Sequence, residues 1–172
     1  PLKSMPRSFK RVKSSSLGYS KSDVTEYYDD QGAWVLSQVK RAYDGGSGIV
    51  MSQTDFEPTT ALPHRTYSFG KLQQTFGYNA DGTLATVTDG NNNTTRVSNW
   101  MRGVPQLIQY PGTPDSPSGS SESAIVNGFG WIMSTTDETS ATNNYTYDAM
   151  GRIASVAYPV GGPVVWNTSY SD

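Results

Sequence analysis

Residues that could carry chemistry are few and scattered. His64, within Leu62-Pro63-His64-Arg65, is the only histidine, and cysteine is absent. A zinc site or a nucleophilic triad needs partners that this histidine lacks in the sequence around it, so a structural or surface role suits it better. Asp29-Asp30, Asp55 with Glu57, and Asp137-Glu138 could serve as paired carboxylates or as calcium ligands. All three fall where turns are expected, which favours solvated turn acids. Asp44-Gly45-Gly46-Ser47-Gly48 is the one run that could cradle a phosphate. It lacks the Lys-Ser/Thr of a phosphate-binding loop and fits a hairpin turn. Asn92, Asn93, Asn144 and Asn167 stand in Asn-x-Ser/Thr sequences and read as turn and strand residues. No catalytic residue, cofactor or metal is therefore expected.

The elements that must position these residues are strands. The 172 residues suffice for one ordinary domain. Aromatics reach 12%, with 11 Tyr, while charged residues are only 16%. Tyr, Thr, Val and Trp favour strands, and Gly, Asn and Asp favour the turns between them. No window holds a helical period, so the expected class is all-β. No apolar run reaches the ~18 residues of a membrane span, and no secretory leader is visible. The chain starts without Met and stops just after a strand-like run, Trp166-Asn167-Thr168-Ser169-Tyr170, which suggests a piece of a longer polypeptide.

Charge is uneven. Lys3, Arg7, Lys10, Arg11, Lys13 and Lys21 precede the first acid, Asp23, and the remainder holds 7 Lys/Arg against 15 Asp/Glu, a net −8. The basic start could meet an anionic partner, or be a solvated or loosely docked end. No aromatic stacking pattern accompanies it, so nucleic acid is not the expected partner. From Asp23 onward the strand pattern is expected to begin.

A phrase then recurs. Its fullest copy is Tyr145-Thr146-Tyr147-Asp148-Ala149-Met150-Gly151-Arg152-Ile153, and Phe76-Gly77-Tyr78-Asn79-Ala80-Asp81-Gly82-Thr83-Leu84 has the same grammar. Looser copies surround Tyr28–Gly32, Tyr67–Leu72, Val97–Leu107 and Ile125–Ile132. Gly82, Gly103, Gly130 and Gly151 punctuate them at intervals of 21, 27 and 21 residues. The long interval holds a Pro/Gly/Ser run at 111–121, a surface insertion or a grafted binding loop. Asp at the start of the turn can accept its own backbone N–H groups, and Gly supplies a positive φ. That combination predicts a type I turn followed by a left-handed residue. Wider second turns are expected at Thr88–Thr95 and Thr136–Asn144. Tyr145 and Tyr147 share one strand face and can pack across to Ile153. Leu84 and Val87, like Ile153 and Val156, fall on opposite faces, which calls for a bulge or for two partly covered faces.

Tyr147-Asp148-Ala149-Met150-Gly151-Arg152-Ile153 resembles the Tyr-Asp-x-x-Gly-Arg-Leu repeat of Rhs (rearrangement hotspot) proteins. That YD-repeat family includes the C component of insecticidal toxin complexes and the teneurins. Thr88–Thr95, Asn99–Gln106 and Trp166-Asn167-Thr168 are similar to further segments of such proteins. The resemblance is specific over 76–172 and weak over 23–75, and residues 1–22 match no part of it. At Asn79, Trp100 and Trp131 the copies depart from Tyr-Asp. The resemblance implies a spiralling β-sheet, the wall of a hollow shell around a C-terminal toxin or effector domain. It also implies self-cleavage by an aspartate-dependent motif, which nothing in this chain matches.

The expected organisation is a basic segment at 1–22, diverged hairpins at 23–75, and YD-repeat hairpins at 76–172. The repeat positions singled out are Tyr78, Gly82, Leu84, Gly103, Gly130, Tyr145, Tyr147, Asp148, Gly151, Arg152 and Ile153. The expected function is a non-catalytic shell segment of a secreted or cell-surface polypeptide. Its partners would be the remaining repeats and the enclosed effector. Two alternatives stay open. Trp34, Trp100, Trp131 and Trp166 could contact a cell-surface glycan, although their different phases favour packing. Open strand edges could also drive self-assembly into a polymer.

Overall fold

The computed structural model describes residues 8–14, 18, 20–30, 32, 34–159 and 164–170. Lys3, Arg7, Leu2 and Leu17 of the basic start, and Gln31 and Ala33 of the first loose repeat, lie outside the described residues. Within them the chain is all-β, fourteen strands and no helix.

The first six strands are β1 (Ser8–Ser14), β2 (Ser20–Asp30), β3 (Val35–Asp44), β4 (Val50–Phe56), β5 (Pro63–Ser68) and β6 (Lys71–Tyr78). Next come β7 (Leu84–Asp89), β8 (Thr94–Met101), β9 (Val104–Gln109) and β10 (Ser121–Val126). The last four are β11 (Ile132–Thr136), β12 (Thr142–Tyr147), β13 (Ile153–Tyr158) and β14 (Val164–Asn167). Strand order in the sheet follows chain order throughout. The chain divides into two compact units, residues 1–78 with 87–93, and residues 79–86 with 94–172.

In the first unit, strand structure begins at Ser8, earlier than the Asp23 the sequence suggested. β1 pairs along β2 from Ser8↔Glu26 to Ser14↔Ser20. Its side chains are exposed, and Arg11 sits 3.6 Å from Asp23. A serine- and lysine-rich run forms a strand here because its neighbour supplies the ladder. Glu26 and Arg41 meet across β2 and β3 through two hydrogen bonds, at 2.7 and 3.0 Å. Tyr28 stacks on Phe56 at 4.7 Å.

In the second unit, β8 to β14 pair antiparallel in sequence. Here the phase problem resolves as a bulge. Thr146 faces Ser155, but Tyr147 faces Ile153, so one residue of β13 is passed over. The same shift follows the turn into β11, where Ile125 faces Ser134 and Val126 faces Ile132. Every residue of β7 is also half-buried, so partial cover of both faces holds as well.

The core is thin. Among the described residues the buried apolar side chains are Val24, Ala61, Val126 and Val156, and no large side chain is fully buried. Cohesion therefore rests on ladder hydrogen bonds and on cross-strand contacts between half-buried side chains.

Candidate functional site: the repeat turns and their aromatic links

Asp148 begins the turn between β12 and β13. Its N–H donates to the Arg152 carbonyl at 2.9 Å, and Gly151 N–H donates to the Asp148 carbonyl at 3.0 Å. Gly151 has φ +78. The Asp148 carboxylate accepts the Met150 and Arg152 N–H groups, both at 2.9 Å, and pairs with Arg152 Nε at 2.8 Å. Those bonds, chiefly from Arg152, hold its carboxyl below the usual range. This is a type I turn closed by a left-handed residue.

The same backbone frame recurs at Asn79 with Gly82, and at Asn127 with Gly130. Asn127 Oδ1 accepts from Phe129 and Trp131 as Asp148 does from its own turn. At Asn79 the capping carboxylate comes instead from Asp81, which accepts from Thr83.

The turns expected to be wider share this frame. Asp89 N–H donates to Asn93 and Asp137 N–H to Ala141, with Asn92 (φ +67) and Ser140 (φ +67) in the left-handed place. Their length is the same; only the glycine is missing. Two other copies use a shorter turn. Phe69-Gly70 and Arg102-Gly103 each have positive φ at both residues, between the pairs Ser68↔Lys71 and Met101↔Val104. Gly103 therefore belongs to a two-residue hairpin and not to the Asp-x-x-Gly turn.

A second regularity, unseen in the sequence, joins four of the hairpins to the strand before them. Tyr147 Oη donates to the Ile132 carbonyl at 2.7 Å, and Tyr78 Oη to the Pro63 carbonyl at 2.8 Å. Trp100 Nε1 donates to the Leu84 carbonyl at 2.8 Å, and Tyr170 Oη to the Ile153 carbonyl at 3.1 Å, joined there by Thr168 Oγ1. Each acceptor is the first residue of its strand. The reason is visible in the register. Pairing of β11 with β12 starts only at Ser134↔Asn144, which leaves Ile132 beyond the ladder. Likewise β5 meets β6 from Arg65↔Thr75, beyond Pro63, and β13 meets β14 from Ser155↔Asn167, beyond Ile153. An aromatic donor from the next hairpin satisfies the carbonyl that the ladder misses. Burial pushes the Tyr78 phenol pKa up, with the Glu57 carboxylate adding to it, so the donor stays protonated.

Rings add a lateral contact. Trp131 lies 5.1 Å from Tyr147 and 5.2 Å from Phe129. A Cβ built on Gly151 would come 2.8 Å from Trp131 Cζ2. Arg152 lies over the Tyr170 ring at 4.2 Å. Tyr145 Oη is 3.1 Å from Thr135 Oγ1, and Ile153 stays partly exposed opposite Tyr147.

The candidate chemical residues do not converge. His64 Nδ1 is 2.8 Å from Glu57 Oε1, at ion-pair distance but out of hydrogen-bond alignment. Among the described residues no three of His, Cys, Asp and Glu come close enough to hold a metal. Asp29, Asp30 and Asp55 lie in strands, not in the turns the sequence suggested. Asp29 accepts from Ser37 N–H, Asp30 from Tyr28 and Asp55 from Gln53. Asp137 caps its turn. The Asp44–Gly48 run is a hairpin turn whose carboxylate accepts Gly46 and Ser47 N–H. Trp34 and Trp166 are exposed, while Trp100 and Trp131 are half-buried.

No protein family model matches the chain, and no curated protein matches it either. Solved structures share its fold. The crystal structure of TcdB2-TccC3-Cdc42 aligns with 94% of this chain at TM-score 0.61 and 11% identity. That of TcdB2-TccC3 without its hypervariable C-terminal region aligns with 87% at TM-score 0.57 and 13% identity. The chain spans only 11% and 9% of those chains' lengths. At such identity the likeness speaks for the fold.

Proposed function

We propose that this chain is a stretch of wall in a YD-repeat shell of the Rhs type, enclosing a toxin or effector domain of a larger secreted polypeptide. Its role is structural and non-catalytic. The observation that carries this reading is the fold likeness to TccC3-containing toxin-complex chains over nearly the whole segment, while the segment is about a tenth of their length. Two features support it. Each unit is built of consecutive antiparallel strands, with no helix among the described residues, the make-up of a strand-hairpin repeat. At four places an aromatic donor joins a hairpin to the strand before it, a grammar that can continue from repeat to repeat. The partners on this reading are the neighbouring repeats and the enclosed domain.

The test is the mass of the native polypeptide together with its protease map. A chain many times longer than 172 residues, with an interior domain protected until the wall is opened, is the expected result. A native chain of about this size sinks the shell reading. A monomer would then favour a surface-binding module, and a ladder of masses would favour edge-to-edge polymerisation.

A further inference from the structure

Hairpin tips are ordinarily polar, yet two here hold large apolar side chains out in water. Phe129 is 80% exposed and Met150 78%. They occupy the same place, third in the four-residue frames that begin at Asn127 and Asp148. That place gives the turn only its backbone: Phe129 N–H donates to Asn127 Oδ1, and Met150 N–H to the Asp148 carboxylate. Nothing in the frame calls for an apolar side chain there. The other frames carry Asp81, Asn91 and Thr139 at this place. Of these, Asp81 and Thr139 use their side chains to hydrogen-bond within their own loops.

The two apolar tips are neighbours. β10–β11 and β12–β13 are consecutive antiparallel hairpins, so they turn at the same end of the second unit. The Trp131 ring lies 5.2 Å from Phe129, and it also crowds Gly151, the residue after Met150. The preceding hairpin, β8–β9, turns at Arg102-Gly103 on the same end. Arg102 Cβ stands 3.2 Å from a Cβ built on Gly130. Arg102, Phe129 and Met150 thus each stand just before a glycine of positive φ. Arg102 is exposed and makes no hydrogen bond or ion pair among the described residues. The Asp148 charge, by contrast, is answered by Arg152.

We propose that these three tips dip into the surface of a lipid bilayer that carries anionic headgroups. Phe129 and Met150 enter the boundary of the acyl chains, and Trp131 behind them sits at headgroup depth. Arg102 meets lipid phosphate, and its unanswered charge favours anionic over neutral lipid. Side chains that project this far offer no concavity to a partner. A rigid protein surface would need a cavity matched to both tips, whereas a fluid interface needs none. This surface stands independently of the shell reading, since it is built wholly from residues 102–151.

The test is flotation of the intact polypeptide with vesicles of phosphatidylcholine alone or of an equimolar mixture with phosphatidylserine. Saturable binding is expected, tighter on the mixed vesicles. Phe129→Ser should weaken it about tenfold or more, because a large apolar side chain no longer leaves water. Met150→Ser, which leaves the ring contacts alone, should weaken it about fivefold or more. Arg102→Gln should lose about fivefold on the mixed vesicles and nothing on phosphatidylcholine. Ile125→Thr, at a strand residue 63% exposed, is the control and should change nothing. Unchanged thermal midpoints would show that the variants fold. The assignment is overturned by lack of flotation at about 1 mM lipid, well above what a marginal anchor needs. It is equally overturned if Phe129→Ser combined with Met150→Ser binds as before, or if Ile125→Thr weakens binding as much. A dimer that the double substitution disperses would give the tips to a second copy of this chain, and would overturn it too.

Discussion

Replacing Gly151 by Ala tests the turn and its ring contact together. A side chain at φ +78 meets the left-handed penalty, about 1–2 kcal/mol. The new methyl would also stand 2.8 Å from Trp131 Cζ2, well inside contact distance, and that ring already packs against Tyr147 and Phe129. Overpacking of that kind costs about 1–3 kcal/mol. The expected total is ~2–5 kcal/mol. Gly103 is the internal control, because its φ is +81 but nothing lies within 4 Å of its would-be Cβ. Gly103→Ala should therefore lose only the backbone part, about 1–2 kcal/mol. In a Trp131→Leu background the Gly151→Ala cost should fall toward that of Gly103→Ala, a coupling of about 1–3 kcal/mol. Native-state amide exchange of β12 and β13 reads these values locally, even within a larger polypeptide. Equal losses for Gly151→Ala and Gly103→Ala, or no coupling to Trp131, would refute the account of the ring contact.

Three further outcomes are expected. Tyr147→Phe removes the donor to the Ile132 carbonyl and should cost about 1 kcal/mol by urea unfolding, whereas Tyr158→Phe, at an exposed ring, should cost nothing; equal effects would deny the link. Ser140→Gly should stabilise by about 1 kcal/mol and Asn92→Gly by less, since Asn tolerates the left-handed region better than Ser, with melting temperature as the readout. Acid should loosen the turns: hydrogen bonds hold the Asp89, Asp137 and Asp148 carboxyls below their usual range, so the stabilisation is complete above the unfolded value near ~3.9 and is lost as pH falls through the folded values. Asp89→Asn with Asp137→Asn keeps the accepting Oδ1 and should flatten the melting-temperature profile between about pH 5 and 2; an unchanged profile would assign the acid loss elsewhere.

Much of the turn chemistry is written in residue types. Asp148 and Gly151 name their turn because one must accept and the other must bend left. Asp89 and Asp137 initiate the same frame, but Asn92 and Ser140 stand where glycine would have announced it, so the sequence suggested wider turns. The strand at Ser8–Ser14 was obscured by its lysines and serines, because a strand paired along β2 takes its order from the ladder and can leave every side chain in water. Asp29, Asp30 and Asp55 likewise sit in strands, since a half-exposed strand tolerates acids that find local donors. The aromatic links escaped for a different reason. Their acceptors are backbone carbonyls, which no side-chain pattern reports, and the donor can be Tyr or Trp.

The aromatic links also impose a direction in time. In every case the acceptor carbonyl comes first along the chain, and the donor arrives 15 to 17 residues later. At these four places a strand thus exposes a vacancy that the oncoming hairpin fills. All contacts of this kind are local in sequence, so loop closure is inexpensive and ordering need not wait for the distant end of the chain. A polypeptide emerging from a ribosome or a translocation pore could lay down its sheet in the order of emergence, each hairpin serving as the template for the next.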